Sequence, residues 1–298
     1  MTLPQWVTLV AARTPTLPPA TGTNLFLVSD GGEGLVIDAG YSDPEALRPL
    51  TDAVRERNLH ITGILLTHHH PDHAAGAGYL AELWDCPVHI HPADAEAVRQ
   101  YVPEPRLRPD LVEGTTRQVG EVRLVALETP GHTPGHLCFW EPTAKVLFTG
   151  DAVLGAGTTW IGPPDGHLRT YLNTLRKLLT YPADIAGPAH GPLVQDPAGQ
   201  IRYYLSHRQE REEQIMSLID KHPRRIADLV SAIYEGQIPP AARWVAERTL
   251  LGHLVKLEEE GRVTRAVDTG TPVPLHQVTW TDEELRRWTD QTVFSAVP

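Results

Sequence analysis

The chain of 298 residues is long enough for one large domain and a smaller one, and its 41% hydrophobic and 21% charged residues are typical of a globular protein. It contains no apolar run of the ~20 residues that a membrane-spanning helix needs, so we expect no membrane partner. The net charge of −11 argues against a protein that coats nucleic acids in general.

The first two hundred residues alternate between strand-like and helix-like segments, which predicts a mixed α/β layered domain over residues 1–200. Helices are predicted at DPEALRPLTDAVRERN (43–58), where Asp43 is the N-cap and Pro44 the first helical residue, and at AAGAGYLAELW (74–84). The segments that predict strands are TNLFLV (23–28), GLVID (34–38), ITGILLT (61–67), PVHIH, EVRLVALETP, FWEPTAKVLFTGD and ADIAGPAH.

The pattern changes near residue 200. Three helices are predicted at residues 202–222, 226–234 and 241–260, followed by the strand-like RVTRAV. Three helices followed by a β-wing are typical of a winged helix, so we expect a winged-helix-like domain over residues 201–268. The tail, residues 269–298, predicts one more helix, TDEELRRWTDQ, capped by Thr281.

Four histidines and an aspartate lie within the ten residues THHHPDHAAG, directly after a predicted strand. A tight loop at that point can aim alternate side chains in one direction, so His68 and His70 can hold one ion while Asp72 and His73 hold a second. Imidazole nitrogens with carboxylate oxygens suit zinc, and less exclusively iron or manganese. We therefore expect two divalent metal ions as cofactors, with zinc preferred.

Each ion needs a further protein ligand, and three distant residues are candidates. His132, Asp151 and His190 each follow an apolar strand-like run and lie beside glycine, which permits a tight turn and a close approach to the site. The two oxygens of a carboxylate such as Asp151 can bridge two cations.

In this order, the H-x-H-x-D-H motif, the glycine-flanked His132, Gly150-Asp151 and Gly-Pro-Ala-His-Gly (187–191) resemble the metallo-β-lactamase-fold hydrolases. The resemblance implies a four-layer αβ/βα sandwich with a dinuclear metal centre at one edge. It implies that His68, His70 and His132 hold the first ion, that Asp72, His73 and His190 hold the second, and that Asp151 bridges them.

Later segments, among them YLNTLRKLL, YLSHRQEREEQI and LLGHLVKLEEEGRV, resemble the beta-lactamase-like protein 2 group, which joins the hydrolase domain to a C-terminal winged helix. That resemblance implies an endoribonuclease that acts on single-stranded RNA. True β-lactamases are disfavoured because the common subclass places a cysteine among the second-ion ligands, where this chain has Gly150-Asp151.

Two such ions make hydroxide available from bridging water at neutral pH, and Asp72 is placed to orient this nucleophile and accept its proton. These groups predict a hydrolase but serve ester, thioester, lactone and phosphodiester equally. The predicted substrate is single-stranded RNA, with a thioesterase or hydroxyacylglutathione-type thioester hydrolase as the alternative.

Substrate contacts are predicted in the loop GAGTTWIGPPDGH, where Thr158 or Thr159 could cradle a phosphate and Trp160 could stack a base. Basic and acidic side chains are equal in number over residues 201–268, which favours a substrate-gating or dimerising role, with a platform for single-stranded RNA as the alternative, over duplex binding. A homodimer is therefore a candidate assembly. The basic residues available there are Arg224, Arg225, Arg243, Arg248, Lys256, Arg262 and Arg265.

The cytoplasm is the expected location. The stretch MTLPQWVTLVAARTP does not resemble a secretory signal, and Cys86 and Cys138 lie far apart in the sequence, as suits a reducing compartment.

Overall fold

The computed structural model describes residues 2–17, 20–239, 242–267, 283 and 292–297. The chain divides into two compact units. The first, called here the sandwich unit, comprises Met1–Thr159 and Thr174–Ile201. The second, called the helical unit, comprises Trp160–Asn173 and Arg202–Pro298.

The described residues form strands and helices in the following order along the chain. The strands are β1 Val7–Ala12, β2 Thr23–Asp30, β3 Glu33–Ile37, β4 His60–Leu65, β5 Val88–His89, β6 Leu107–Arg108, β7 Thr116–Val119, β8 Val122–Glu128, β9 Leu137–Glu141, β10 Val146–Gly150, β11 Ile185–Pro188, β12 Arg224–Arg225, β13 Val263–Val267 and β14 Thr292–Ala296. The α-helices are α1 Pro44–Glu56, α2 Pro71–Ala74, α3 Ala77–Trp84, α4 Ala95–Val98, α5 Leu168–Leu178, α6 Pro197–Ile219, α7 Ile226–Tyr234 and α8 Arg243–Glu259, and a 3-10 helix spans Pro92–Asp94.

Two sheets form the centre of the sandwich unit. The first has the strand order β1-β2-β3-β4-β5-β6, antiparallel from β1 to β3 and parallel from β3 to β6. The second has the order β11-β10-β9-β8-β7, and all of its pairs except β10–β11 are antiparallel. The mixed sheets agree with the α/β layers predicted from the sequence.

Strand β2 separates two hydrophobic cores, because successive side chains of a strand point to opposite faces. Leu25 and Leu27 pack with α1 and α3 residues in the outer core. Phe26 and Val28 face the second sheet, where Phe26 meets Phe148 of β10 edge-on at a ring-centroid distance of 4.9 Å. A strand buried on both faces is apolar throughout, which explains the unbroken run LFLV.

The helix predicted at residues 43–58 is confirmed as α1. Asp43 is its N-cap and accepts a hydrogen bond from the Glu45 backbone N–H at 3.0 Å, and Pro44 starts the helix. The strands predicted at residues 23–28, 34–38 and 61–67 correspond to β2, β3 and β4.

The helix predicted within residues 74–84 is confirmed as α3, although it begins at Ala77 and not at Ala74. Ala74 ends the separate helix α2, and the backbone N–H of Gly76, between the two helices, donates to Gly40 O at 2.8 Å. A Cβ at Gly76 would lie 2.2 Å from Ala39 O, so only glycine permits this close approach of two backbone segments.

The helical unit contains α7, α8, most of α6 and a small sheet, with a core that includes Ile215, Leu229, Leu250 and Phe294. The helix predicted to start at residue 202 begins earlier, at Pro197, because Asp196 caps it by accepting from Gly199 N–H at 2.8 Å. The helices predicted at 226–234 and 241–260 correspond to α7 and α8.

The small sheet has the order β12-β14-β13, so residues 292–296 form its middle strand. The sequence analysis assigned these residues to the tail, although they belong to the sheet of the helical unit. The helix predicted at residues 281–291 lies outside the described residues except for Glu283. Within the described parts of the chain, each helix is too short or too polar to cross a bilayer.

Candidate metal centre

The histidine-rich loop begins where β4 ends, and a buried carboxylate holds its first residue. Thr67 donates a hydrogen bond from its backbone N–H to Asp38 Oδ1 at 2.8 Å and one from its hydroxyl to Asp38 Oδ2 at 2.9 Å. Pro71 then begins α2, so Asp72 and His73 project from the first turn of a helix. The loop and the helix start together present the H-x-H-x-D-H side chains on a rigid support.

Three imidazoles converge as the sequence predicted for a first ion. His70 Nδ1 lies 3.0 Å from His68 Nε2 and 3.0 Å from His132 Nε2. Adjacent nitrogens of a tetrahedral zinc ion with bonds of about 2.0 Å are separated by about 3.3 Å, so this spacing suits a shared ion. The loop between β8 and β9 supplies His132, which joins the two histidines of the β4–α2 loop.

A second group combines Asp72, His73 and His190. His190 Nε2 lies 3.4 Å from Asp72 Oδ2, and His73 Nε2 lies 3.9 Å from Asp72 Oδ1. The loop after β11 supplies His190. One possible ligand atom from each residue lies within 4.8 Å of the others in each of the two groups.

Asp151, at the end of β10, divides its two oxygens between the groups. Its Oδ2 lies 3.5 Å from His132 Nε2 of the first group. Its Oδ1 lies 3.3 Å from His190 Nε2 and 3.6 Å from His73 Nε2 of the second group. The structure thus brings together all seven residues predicted from the sequence, with Asp151 between the two groups.

Hydrogen bonds at Nδ1 orient three of the imidazoles so that Nε2 faces the other proposed ligands. His73 Nδ1 lies 2.8 Å from Asp38 Oδ2, and His190 Nδ1 lies 2.8 Å from Gly22 O, so both Nδ1 atoms donate. The Thr67 hydroxyl donates to Asp38 and therefore accepts from His68 Nδ1 at 3.0 Å. Such outer hydrogen bonds set the ring orientation and basicity of metal-binding histidines.

The pKa shifts show how strongly the carboxylates act on His73. Burial lowers the pKa of its ring, but Asp38, Asp72 and Asp151 outweigh burial and raise that pKa to about 10. Burial raises the pKa of Asp72, and His73 and His190 more than reverse this, so the Asp72 carboxyl is ionised at neutral pH. Three carboxylates around one imidazole favour a positive charge at this point, which a metal ion at Nε2 would supply in place of the ring proton.

His68 differs because it lies among other imidazoles. Burial, followed by the neighbouring His73, His70 and His132, lowers the pKa of His68 well below its usual value. This ring is neutral at pH 7, as a metal ligand must be.

Two buried polar atoms support a cation between the groups. Among the described residues, His73 Nε2 and Asp151 Oδ1 have no hydrogen-bond partner. Buried polar atoms are nearly always satisfied, and an unsatisfied pair facing a cluster of nitrogens and carboxylate oxygens is explained by an ion. The donor set of five imidazoles and two carboxylates fits zinc or iron.

The three residues predicted to contact substrate differ in burial and in the unit to which they belong. Thr159 is buried, and its hydroxyl donates to the backbone oxygen of Asp151 at 2.8 Å, so it fixes the loop that follows this residue. Thr158 is half-buried. Trp160 belongs to the helical unit and meets Trp244 edge-on, with ring centroids 6.1 Å apart.

The sequence analysis missed three buried residues that support the cluster: Asp38, Asp94 and His136. Asp38 follows the apolar strand GLVI and precedes Gly40 by two positions, a pattern close to that of Asp151, which follows a strand and lies directly after Gly150, so it could have been found. His136 Nε2 accepts from the Asp151 backbone N–H at 3.1 Å, and burial lowers the pKa of its ring to about 3. Asp94 gives no comparable signal in the sequence.

The family model of the metallo-beta-lactamase superfamily matches residues 18–190, and that of the beta-lactamase associated winged helix domain matches residues 226–271. The chain therefore belongs to the metallo-beta-lactamase superfamily and carries the associated winged helix domain. Its fold is the αβ/βα sandwich of that superfamily, as the resemblance implied, and it is a metal-dependent hydrolase.

Two relatives are similar over most of the chain. The beta-lactamase-like protein 2 homolog of Drosophila melanogaster is 33% identical over 270 residues, which cover 85% of this chain and 89% of that protein. The atrochrysone carboxyl ACP thioesterase of Emericella nidulans is 30% identical over 245 residues, which cover 81% of this chain and 76% of that protein.

Solved structures agree with this assignment. A metallo-beta-lactamase family protein of Thermus thermophilus is 26% identical with a TM-score of 0.76, over 89% of this chain and 97% of its own. The di-iron-bound form of TTHA1623 is 31% identical with a TM-score of 0.52, over 64% of this chain and 97% of its own.

Proposed function

We propose that this protein is a dinuclear-metal hydrolase that cleaves thioesters. The observation that carries the two-ion part is the placement of Asp151, whose oxygens face separate groups of ligands. His68, His70 and His132 would hold one ion, and Asp72, His73 and His190 the other. Two divalent cations held there supply an activated water near neutral pH and stabilise the negative charge that develops on the attacked group.

The protein's own residues would then position the reactants. Asp72 would orient the attacking water through one carboxylate oxygen, because its carboxyl is ionised at neutral pH and accepts a hydrogen bond. His190 Nε2, 3.4 Å from Asp72 Oδ2, keeps that carboxylate facing the second group. Asp38 holds the His73 ring from behind at 2.8 Å.

Two observations support a thioester as the substrate. A relative that is 30% identical is an atrochrysone carboxyl ACP thioesterase. In addition, four of the seven basic residues that the sequence offered for RNA contacts are paired with carboxylates inside the helical unit. These pairs are Arg243–Glu247, Lys256–Glu212, Arg262–Glu212 and Arg265–Glu258, at distances of 2.8–3.5 Å. Cations that are already paired contribute little to a phosphate-binding track.

Cleavage of single-stranded RNA is the second candidate function, and one feature of the helical unit favours it. Trp244 is 42% exposed, Trp160 meets its edge, and Arg248 Cζ lies 5.1 Å from its ring centroid. Exposed indoles beside a guanidinium are suited to stacking unpaired bases. The 33% identity to a beta-lactamase-like protein 2 homolog agrees with the group whose resemblance implied this activity in the sequence analysis.

We further propose residues 1–200 as the hydrolase domain and residues 201–268 as the winged-helix-like domain. The ranges matched by the two family models, 18–190 and 226–271, support this division. Part of the proposed tail, residues 269–298, pairs with the winged-helix domain through β14.

The test begins with the metal content of the purified protein, for which two ions per chain are expected, with elemental analysis deciding between zinc, iron and manganese. Hydrolysis of an acyl-pantetheine thioester and of labelled single-stranded RNA is then compared before and after chelation. His68→Ala and Asp72→Ala should lower turnover at least about 100-fold. The exposed His60 on β4 provides the matched control His60→Ala, which should retain activity.

Turnover of RNA but not of the thioester would overturn the thioester proposal and establish the second candidate. Turnover that survives chelation would overturn the metal-dependent mechanism for both substrates.

A further inference from the structure

The proposed first ion site takes its ligands from two loops that are far apart in sequence. His68 and His70 come from the β4–α2 loop, and His132 comes from the β8–β9 loop. Imidazoles on separate loops hold one ion well only if the loops are fixed relative to each other, because outer contacts set the orientation of the ligands.

Asp94 lies where such a contact is needed. It ends the 3-10 helix after β5, is 1% exposed, and belongs to neither loop. Its Oδ2 accepts hydrogen bonds from the His69 backbone N–H at 3.1 Å and the Thr133 hydroxyl at 2.7 Å. Its Oδ1 accepts from the Gly135 backbone N–H at 2.6 Å.

The partners of Asp94 are the immediate neighbours of the ligands. His69 stands between His68 and His70, and its Nδ1 is also 2.9 Å from Asp94 Oδ2. Thr133 follows His132 directly. A Cβ at Gly135 would lie 2.6 Å from Asp94 Oδ1, so the β8–β9 loop carries glycine where the carboxylate approaches.

We propose that Asp94 is a positioning residue that fixes the two ligand loops against each other and thereby sets the affinity of the first ion site alone. This inference rests on the two-ion site of the proposed function. It assigns a role to a residue outside the seven proposed ligands, through its hydrogen bonds to their neighbours His69 and Thr133.

Asp38 provides the internal comparison because its contacts reach ligands of both sites. It holds His73 of the second site directly and His68 of the first site through Thr67. Loss of Asp38 should therefore weaken both sites, whereas loss of Asp94 should weaken one.

The experiment measures the zinc content of the purified full chain and the affinity of each site by competition with a chelator. Cobalt is then substituted, and its visible absorption spectrum reports the coordination of each ion. Asp94→Ala should keep one ion with unchanged affinity and bind the other about 10- to 100-fold more weakly. The cobalt spectrum of the weakened site should change as well.

Two milder variants keep the test decisive if Asp94→Ala does not fold. Asp94→Asn removes the charge and one of the two acceptor oxygens, so either the Gly135 bond or the bonds from His69 and Thr133 are lost. Thr133→Val removes a single hydrogen bond at nearly constant volume. Both should weaken the same ion as Asp94→Ala, by smaller factors.

Glu141 offers a matched control for loss of a buried carboxylate. It is 3% exposed and accepts from two backbone N–H groups, those of Thr143 at 3.2 Å and Ala144 at 2.6 Å, in the β9–β10 hairpin. Glu141→Gln should bind both ions as the unmodified protein does.

Unchanged affinities for both ions in the Asp94 variants, or equal weakening of both, would overturn the inference. Fewer than two ions in the unmodified protein would instead overturn the two-ion proposal, so the two failures are distinguishable. Neither measurement requires a known substrate.

Discussion

Both units contain a buried cluster of titratable side chains, but the two clusters are balanced differently. In the helical unit, Glu212 lies 2.8 Å from Lys256 Nζ and 3.5 Å from Arg262 Nη1, so its charge is compensated within the protein. In the sandwich unit, Asp38, Asp72 and Asp151 surround the imidazole of His73, so three carboxylates act on one ring. Burial of charge alone therefore does not identify a functional site, whereas an unbalanced buried charge does.

The largest expected effect comes from removing the carboxylate that faces both ligand groups. Asp151→Ala should lower hydrolysis by about 1,000-fold, equivalent to about 4 kcal/mol of transition-state stabilisation, because both proposed ions would lose a ligand. Metal content and turnover of whichever substrate the test above supports measure this effect. If Asp151→Ala kept full activity with fewer than two bound ions, the contrast between the cluster of the sandwich unit and that of the helical unit would no longer hold.

Removal of the acidic residue from the compensated cluster of the helical unit should lower stability and leave function unchanged. Glu212→Ala should lower the free energy of unfolding by about 3 kcal/mol, because it leaves Lys256 buried with Glu260 as its remaining acidic partner. Hydrogen exchange of α8 amides measures this loss, while metal content and turnover stay unchanged. Glu213→Ala, at the exposed position next to Glu212 on α6, is the control and should be nearly neutral.

Acid should act on the compensated cluster through His253. Burial lowers the pKa of this ring to about 4, although Glu212 opposes the shift and Arg208 and Arg211 reinforce it. The unfolded chain, with a histidine pKa near 6.5, binds a proton at higher pH than the folded one. Stability is therefore full above pH 6.5 and falls by up to about 3 kcal/mol as the pH drops to 4.

Urea unfolding at a series of pH values measures this dependence, and His253→Gln should flatten it between pH 6.5 and 4. An equally steep dependence in the variant would assign the acid sensitivity to other groups.

The smallest expected effect is at an exposed ion pair on α8. Glu247 lies 2.9 Å from Arg243 at i, i+4 spacing, and the arginine side chain is 46% exposed. Glu247→Ala should cost no more than about 0.5 kcal/mol of unfolding free energy, because water screens the pair. A cost as large as that of Glu212→Ala would remove the distinction between buried and exposed charges in this unit.

The proposed site was largely predictable because its ligands follow a local pattern. His68, His70, Asp72 and His73 lie within six residues, and His132, Asp151 and His190 each lie at a strand end beside glycine. That these residues gather at one edge of a sandwich was implied by the family resemblance, not by the strand and helix pattern.

Other features depend on contacts that the sequence does not display. Asp94 acts through His69 and Thr133, which are 25 and 39 residues away, so no local spacing identifies it. The break at Gly76 arises from its approach to Ala39 O, and propensity alone favoured one continuous helix. Strand β1 was missed for a similar reason, since its pairing with β2 is a tertiary contact.

The position of β14 matters for the design of truncated fragments of this protein. A fragment trimmed at residue 271, where the match to the winged helix family ends, would lack the strand that joins β12 to β13. It would also lose Phe294, which is 1% exposed, and uncover the apolar residues that pack around it. Such a fragment would present two unprotected strand edges, and we expect it to aggregate.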